Sequence, residues 1–283
     1  MNFLSVSRRV PPLFGFLFVL LGAGCASHQE APATAAIPEL RPGILMGYLQ
    51  NSSLPNSLAL LPPAPADGSP ELAVDKAYSQ RGLALRDTPA WTLAASDADL
   101  SFPHAASTFS CALNAAIDEA TTPHLYMLLR RTLADAGLST YAAKNHYARP
   151  RPFVGNGAPI CSPNEQAMLE KDGSYPSGHS AIGMAWALIL TEISPQQTDA
   201  ILARGRAFAR SRMVCNVHWH SDTEQGRFMG ADTVARLHAD AAFRADLEAA
   251  RGELAAVRAK AIPLVGDCAA EAAGMAAQQA LTP

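Results

Sequence analysis

Three short blocks in the middle of the chain carry residues that could do chemistry together. They are Lys144 with Arg151-Pro152, then Pro176-Ser177-Gly178-His179, then Ser211-Arg212 followed by His218 and Asp222. They supply three cations, two imidazoles, one carboxylate spaced to meet an imidazole, and a Ser-Gly turn at a predicted helix start. Fixed cations can hold a tetrahedral oxyanion while one histidine attacks it and the other protonates what leaves. The inventory points to phosphoryl transfer.

Each block also has a plainer reading. Pro-Ser-Gly-His alone is a helix start: Ser177 caps, Gly178 permits close approach, and His179 lies at the surface. Its free N–H groups and positive dipole end would nonetheless seat a phosphate oxygen. Most of the 22 Lys and Arg are solvated surface charges. Arg149 and Arg151, however, lie beside prolines in a stiffened backbone. A rigid guanidinium offers two parallel N–H groups to a phosphate, and Lys144 adds a point charge. Arg212 completes a set of three, with the spacing favouring Arg151 over Arg149.

His218 and Asp222 are four apart and share a face on a helix or at its first turn. A carboxylate accepting from one ring nitrogen fixes the tautomer and leaves the other as a lone-pair nucleophile. The alternatives are a structural His-Asp pair, or a zinc fragment in His218, His220 and Asp222. No further Cys or His cluster completes such a fragment, so no metal is expected. His220 is placed at the pocket rim or against a neighbouring segment.

The elements that must position these residues read as helices. Periodic apolar stretches run over 72–85, 91–100 and 105–120, and from Pro123 to Gly137. A short helix begins at Ser139 or Thr140 and carries Lys144. Ser177-Gly178 opens an apolar helix to Ile193, and another runs over 196–211. A long amphipathic stretch covers 221–260, with a break near Gly230 or between Asp240 and Ala245. Strict alternation is scarce, so the fold class is all-α, a single compact helical domain.

The chain has 283 residues, 49% hydrophobic, with a net charge of -3. That suffices for one sizeable core, and no basic patch interleaved with aromatics suggests a nucleic-acid polymer as partner. Arg8-Arg9, the apolar run 13–21 and the small residues after it order like a secretory signal, too short to span a bilayer comfortably. Cys25 fits a lipoprotein acceptor cysteine, although Gly22 stands where leucine is usual; cleavage after Ala26 is the alternative. The expected organisation is a leader over 1–25, a flexible tether over 26–40, a helical domain over 41–262 and a tail over 263–283, frayed after Ala269. In an exported chain Cys111, Cys161, Cys215 and Cys268 suggest two disulfides, with pairing open. The alternative is four buried thiols.

Taken together, the blocks match at every fixed position the pattern K-x6-RP, PSGH, SR-x5-H-x3-D. The chain thereby resembles the type-2 phosphatidic-acid phosphatase and vanadium haloperoxidase superfamily. Over roughly 45–250 it is similar to the bacterial class A non-specific acid phosphatases, through Leu61-Pro62-Pro63, Phe102-Pro103, Phe109 to Leu113, Gly173-Ser174-Tyr175 and His218-Trp219. The resemblance implies an all-α fold and hydrolysis of small phosphomonoesters without a required cofactor. His218 would be the nucleophile that becomes phosphohistidine, Asp222 its orienter, and His179 the acid and then the base. Lys144, Arg151, Arg212, Ser177 and Gly178 would bind the phosphoryl oxygens. His220 stands where close relatives commonly have glutamine. The resemblance further implies broad specificity, some phosphotransfer, and homo-oligomers; together with the leader it places the protein in the periplasm, membrane-bound only through a lipid anchor at Cys25. Vanadate is expected as inhibitor or surrogate of phosphate, which makes a vanadate-dependent haloperoxidase the alternative. A multi-span lipid phosphatase lacks a second long apolar run. A non-catalytic anion binder would be marked by loss of motif residues, and none is lost.

Overall fold

The computed structural model describes residues 37–282 apart from Ala261, Pro263 and Val265. The leader, Cys25 and most of the tether lie outside the described residues. Among those described, the one strand pair is β1 (Glu39–Arg41) with β2 (Ile44–Leu45), antiparallel. Residues 39 and 40, counted with the tether in sequence, therefore belong to this hairpin. Everything else is helical or irregular. No helix of the described residues is long and apolar enough to cross a membrane.

The principal helices are α1 (Pro70–Ala84), α2 (Pro89–Ala98), α3 (Pro123–Ser139), α4 (Tyr141–Tyr147), α5 (Gly178–Ile193), α6 (Thr198–Val214), α7 (His220–Leu237), α8 (Ala241–Ala259) and α9 (Cys268–Ala277). Proline occupies the first turn of α1, α2 and α3, where its missing N–H costs nothing. Ser69, Asp240 and Asp267 cap α1, α8 and α9 through side-chain oxygens.

Helix α5 is the axis of the molecule. Ala181, Ile182, Ala185, Trp186, Ile189 and Leu190 are all buried, so it is apolar around most of its circumference and needs neighbours on several sides. It packs against α3, α6 and α7. Each fully buried Leu or Ile contributes about 1.5–3 kcal/mol relative to exposure. Trp186 is fully buried, and its indole N–H donates to the Leu129 carbonyl at 3.0 Å. Gly230 does not break α7: a Cβ there would lie 2.4 Å from the Ala181 carbonyl oxygen, so the glycine lets α7 press onto α5. The break falls at Asp240 instead.

Two expectations need correction. The stretch 105–120 is not one helix; it forms His104–Ser107 and Ser110–Leu113, then ends where Asn114 turns left-handed at φ 52°. Beyond it, the Asp118 carboxylate accepts from Ala120 and Thr121 N–H, an alternative to helical bonding. The tail after Ala269 is not frayed either. It forms α9 and a 3-10 turn over Gln278–Leu281, with Gln278 and Leu281 fully buried.

The four cysteines form two disulfides, Cys111–Cys268 and Cys161–Cys215. The first fastens α9 to the core beside α2. The second joins the turn after Pro159 to the end of α6.

Candidate active site

All three blocks converge on one cavity of about 520 Å³. Its polar wall includes Lys144, Arg151, Arg212, Gly178, His179 and His218, with Asp172 and Glu165 beside them. Its apolar lining is supplied by Leu40, Ile44, Leu100, Leu133, Met168 and Ile182.

Lys144 arrives from α4 and is buried; its Nζ donates to the Gly173 carbonyl at 2.7 Å and stands 3.6 Å from Asp172. Gly173 permits this approach, since a Cβ there would sit 2.6 Å from the Lys144 carbonyl oxygen. Burial, then the nearby Arg151, lowers the Lys144 ammonium to about 8.

Arg151 precedes Pro152 and is extended, as a residue before proline tends to be. Its guanidinium is braced by the Leu169 and Asp172 carbonyls at 3.0 Å each and by the Asp172 carboxylate at 2.9 Å. Its Nη1 donates to Nε2 of His218 at 3.0 Å. Arg212, on the last turn of α6, is fully buried, yet none of its three side-chain nitrogens has a hydrogen-bond partner. A buried guanidinium with no acceptor is costly unless the cavity is made to receive one. Burial lowers it to about 10.

His218 lies just before α7, and its Nδ1 meets Asp222 at 3.3 Å. Asp222 also accepts from the Trp219 N–H at 2.8 Å, the carboxylate half of a capping box at the start of α7. Nδ1 of His218 therefore carries the proton, and Nε2 presents its lone pair to the cation wall. His179, in the first turn of α5, donates from Nε2 to the Ala98 carbonyl at 3.1 Å. A carbonyl cannot donate, so Nδ1 is the nitrogen left to exchange a proton. Burial, then Arg212, holds His179 well below the usual imidazole range. Burial, then Arg151 and Lys144, does the same to His218. Asp222 is raised by burial against the pull of Arg149.

Ser177 is placed one layer back. Fully buried, it caps α5 by accepting from Ser180 N–H at 3.3 Å, and its own N–H donates to the Asp222 carbonyl at 2.9 Å. Gly178, next to it, faces the cavity. His220 points away and stacks on Tyr78 at 4.0 Å. Arg149 faces Asp222 rather than the cavity.

Sequence reading missed Asp172, Glu165, Asp75 and the Ala98 carbonyl. Asp172 lies one residue before the quoted Gly173-Ser174-Tyr175, its only signal. A backbone carbonyl has none.

The comparisons agree with the geometry. Residues 124–244 match the PAP2 superfamily. The chain is 43% identical to a non-specific acid phosphatase of Providencia stuartii, over 75% of this chain and 86% of that one. It is 42% identical to an acid phosphatase of Zymomonas mobilis over 72% and 77% of the two chains. Against a non-specific acid phosphatase of Salmonella typhimurium the figures are 40%, 70% and 80%. The chain belongs to the PAP2 superfamily, with the bacterial non-specific acid phosphatases, and is a phosphoric-monoester hydrolase.

Proposed function

We propose that the enzyme hydrolyses a broad range of small phosphomonoesters in two displacements through phosphohistidine at His218, needing no metal. The observation that carries this is the pairing of a lone-pair Nε2 on His218 with the partnerless guanidinium of Arg212 in one cavity. Lys144, Arg151, Arg212 and the Gly178 N–H hold the phosphoryl oxygens, a charge complement suited to positioning-dominated phosphoryl transfer. Nε2 of His218 bonds to phosphorus as the P–O bond to the leaving oxygen breaks. That oxygen takes a proton from Nδ1 of His179. Water then gives its proton to His179 as its oxygen bonds to phosphorus and the N–P bond breaks. An alcohol in place of water completes a phosphotransfer.

Both imidazoles are held neutral by burial and cations, so the proton on His179 depends on the charge that the bound phosphate brings. Activity best at mildly acidic pH follows. The relatives named above are phosphatases, which favours hydrolysis over the halide oxidation that vanadate would support in such a pocket. The leader further supports export to the periplasm, with Cys25 as the candidate lipid anchor.

The test is hydrolysis of aryl, nucleoside and sugar monophosphates across pH 4–9 with a chelator present. Retained turnover on several classes, falling at alkaline pH, supports the reading. Loss of turnover that added Mg²⁺ restores overturns it.

A further inference from the structure

One charged group in the cavity has no task in that mechanism. Glu165 closes a 3-10 turn over Pro163–Glu165 and lines the same cavity as Arg212. Its Oε2 is buried with no hydrogen-bond partner, as are all three side-chain nitrogens of Arg212. Opposite charges sharing a cavity would ordinarily close on each other. Here neither bonds to the other, and the chain holds them apart. Cys161, four residues before Glu165, is bonded to Cys215, three residues after Arg212, with 4.7 Å between the two Cα atoms. The disulfide thus ties the turn bearing the carboxylate to the helix end bearing the guanidinium.

A ligand that satisfies both must offer an acceptor to Arg212 and a donor to Glu165. Within a single tetrahedral group, P–O⁻ and P–OH do so together. A fully deprotonated oxyanion offers acceptors only and leaves Glu165 unpaired against a like charge, a cost of about 1–3 kcal/mol or more for a buried polar atom.

We propose that Glu165 is a specificity residue that accepts a hydrogen bond from the phosphoryl hydroxyl, so that the site selects the singly protonated phosphate group over dianionic oxyanions. This rests on the phosphatase reading of the cavity and adds the protonation state of the group it takes. Phosphate monoesters lose that second proton near pH 6, so selecting the monoanion adds to the acid preference independently of the histidines.

Sulfate separates the two contributions, because it has the same shape and carries no proton at pH 5. Facing Glu165 around the cavity are Lys144, Arg151, Asp172, His179, Arg212 and His218. They are the same in wild type and Glu165→Gln, so the change in the affinity ratio between the two proteins at one pH isolates the Glu165 carboxylate. A site built to hydrogen-bond a hydroxyl rejects the analogue lacking it by about 10⁴ when closed. Glu165 is half-buried, not fully enclosed, so the expected phosphate preference is smaller, on the order of 10².

The experiment is competitive inhibition of aryl phosphate hydrolysis at pH 5 by inorganic phosphate and by sulfate, in the wild type and Glu165→Gln. The wild type should prefer phosphate by about a hundredfold, and the variant should lose at least tenfold of that preference through tighter sulfate binding. An unchanged ratio overturns the proposal. Should the variant not fold, the wild-type ratio from pH 5 to 8 decides: it should fall as phosphate deprotonates, and a flat or rising ratio overturns the proposal. A wild type that hydrolyses nothing but binds phosphate over sulfate in calorimetric titration would sink the catalytic reading and spare this one. An active enzyme inhibited equally by sulfate and phosphate would do the reverse.

Discussion

Arg149 grips Asp222: its Nη1 donates to Oδ1 at 2.7 Å while its Nη2 donates to Asp75 Oδ2 at 2.7 Å. All three side chains are buried. The Asp75 carboxylate also accepts from the backbone N–H and hydroxyl of Ser221, each at 2.7 Å. Arg149 is thereby an anchor for the carboxylate behind His218 and not a fourth phosphate ligand. Breaking a buried pair leaves an uncompensated charge, so Arg149→Met should cost about 3–5 kcal/mol in chemical denaturation. It should also lower kcat with little change in KM. A raised KM at unchanged kcat would mark Arg149 as a substrate ligand instead.

The two histidines should fail differently. His218→Ala should abolish turnover on every ester. His179→Ala should keep relatively more activity on aryl esters than on alkyl ones, because a good leaving group needs no proton. Plotting log kcat/KM against leaving-group pKa checks this. The variant should show a steeper dependence than the wild type, and parallel lines would remove His179 as the acid.

Lys144 sets an alkaline limit. Held at about 8 by burial and Arg151, it loses its charge above that pH in the unliganded site. Inhibition by sulfate, which has no proton to lose in this range, should therefore weaken from pH 7 to 9. In Lys144→Met that weakening should be absent, on top of a uniformly poorer affinity. An identical pH dependence in both proteins would place the limit elsewhere.

The depressed histidines also predict how stability responds to acid. The unfolded chain takes up protons at these positions near pH 6.5, while the native state resists. Their stabilisation is complete above that pH and is lost as pH falls toward the native values. Asp135, pushed up to about 6 by burial, acts in the opposite sense below that pH. The clean quantity is the Tm difference between wild type and His179→Asn, which should move against the wild type from pH 7.5 to 5.5. Added phosphate should shrink the movement, and a difference constant with pH would contradict it.

The C-terminal segment supports the site from behind. Gln278 Nε2 donates to Ser211 Oγ at 2.9 Å, and Ser211 donates to Asp97 at 2.6 Å. Ser211 precedes Arg212, and Asp97 precedes the Ala98 carbonyl that holds His179. Cys268→Ser opens a link between positions 157 apart and should cost about 2–5 kcal/mol. Thermal unfolding of that variant with and without reductant measures it, and equal Tm to wild type would show the clip to be idle.

The helical class and the three blocks were legible because both leave local marks. Proline and Ser or Asp starts announce helices, and oxyanion chemistry fixes residue types. What stayed hidden lies in partners at long range. Asp75 is 74 positions from Arg149, and Ala98 acts through its carbonyl, so neither leaves a spacing to read. The Ala-rich tail offers little apolar contrast; its order comes from the Asp267 cap, the Cys268 bridge and the Glu271 bond to Arg204 at 2.9 Å. Spacing already favours Arg151 over Arg149 as the ligand, but that Arg149 anchors Asp222 is visible only in the fold.

The central claim is that Nε2 of His218 takes the phosphoryl group. Mixing the enzyme with an aryl phosphate, quenching in alkali within milliseconds and mapping peptides by mass spectrometry tests it most directly. The expected result is one phosphate, on His218, absent in His218→Ala. A phosphoryl group on His179 or Ser177, or none at all during rapid turnover, would contradict it.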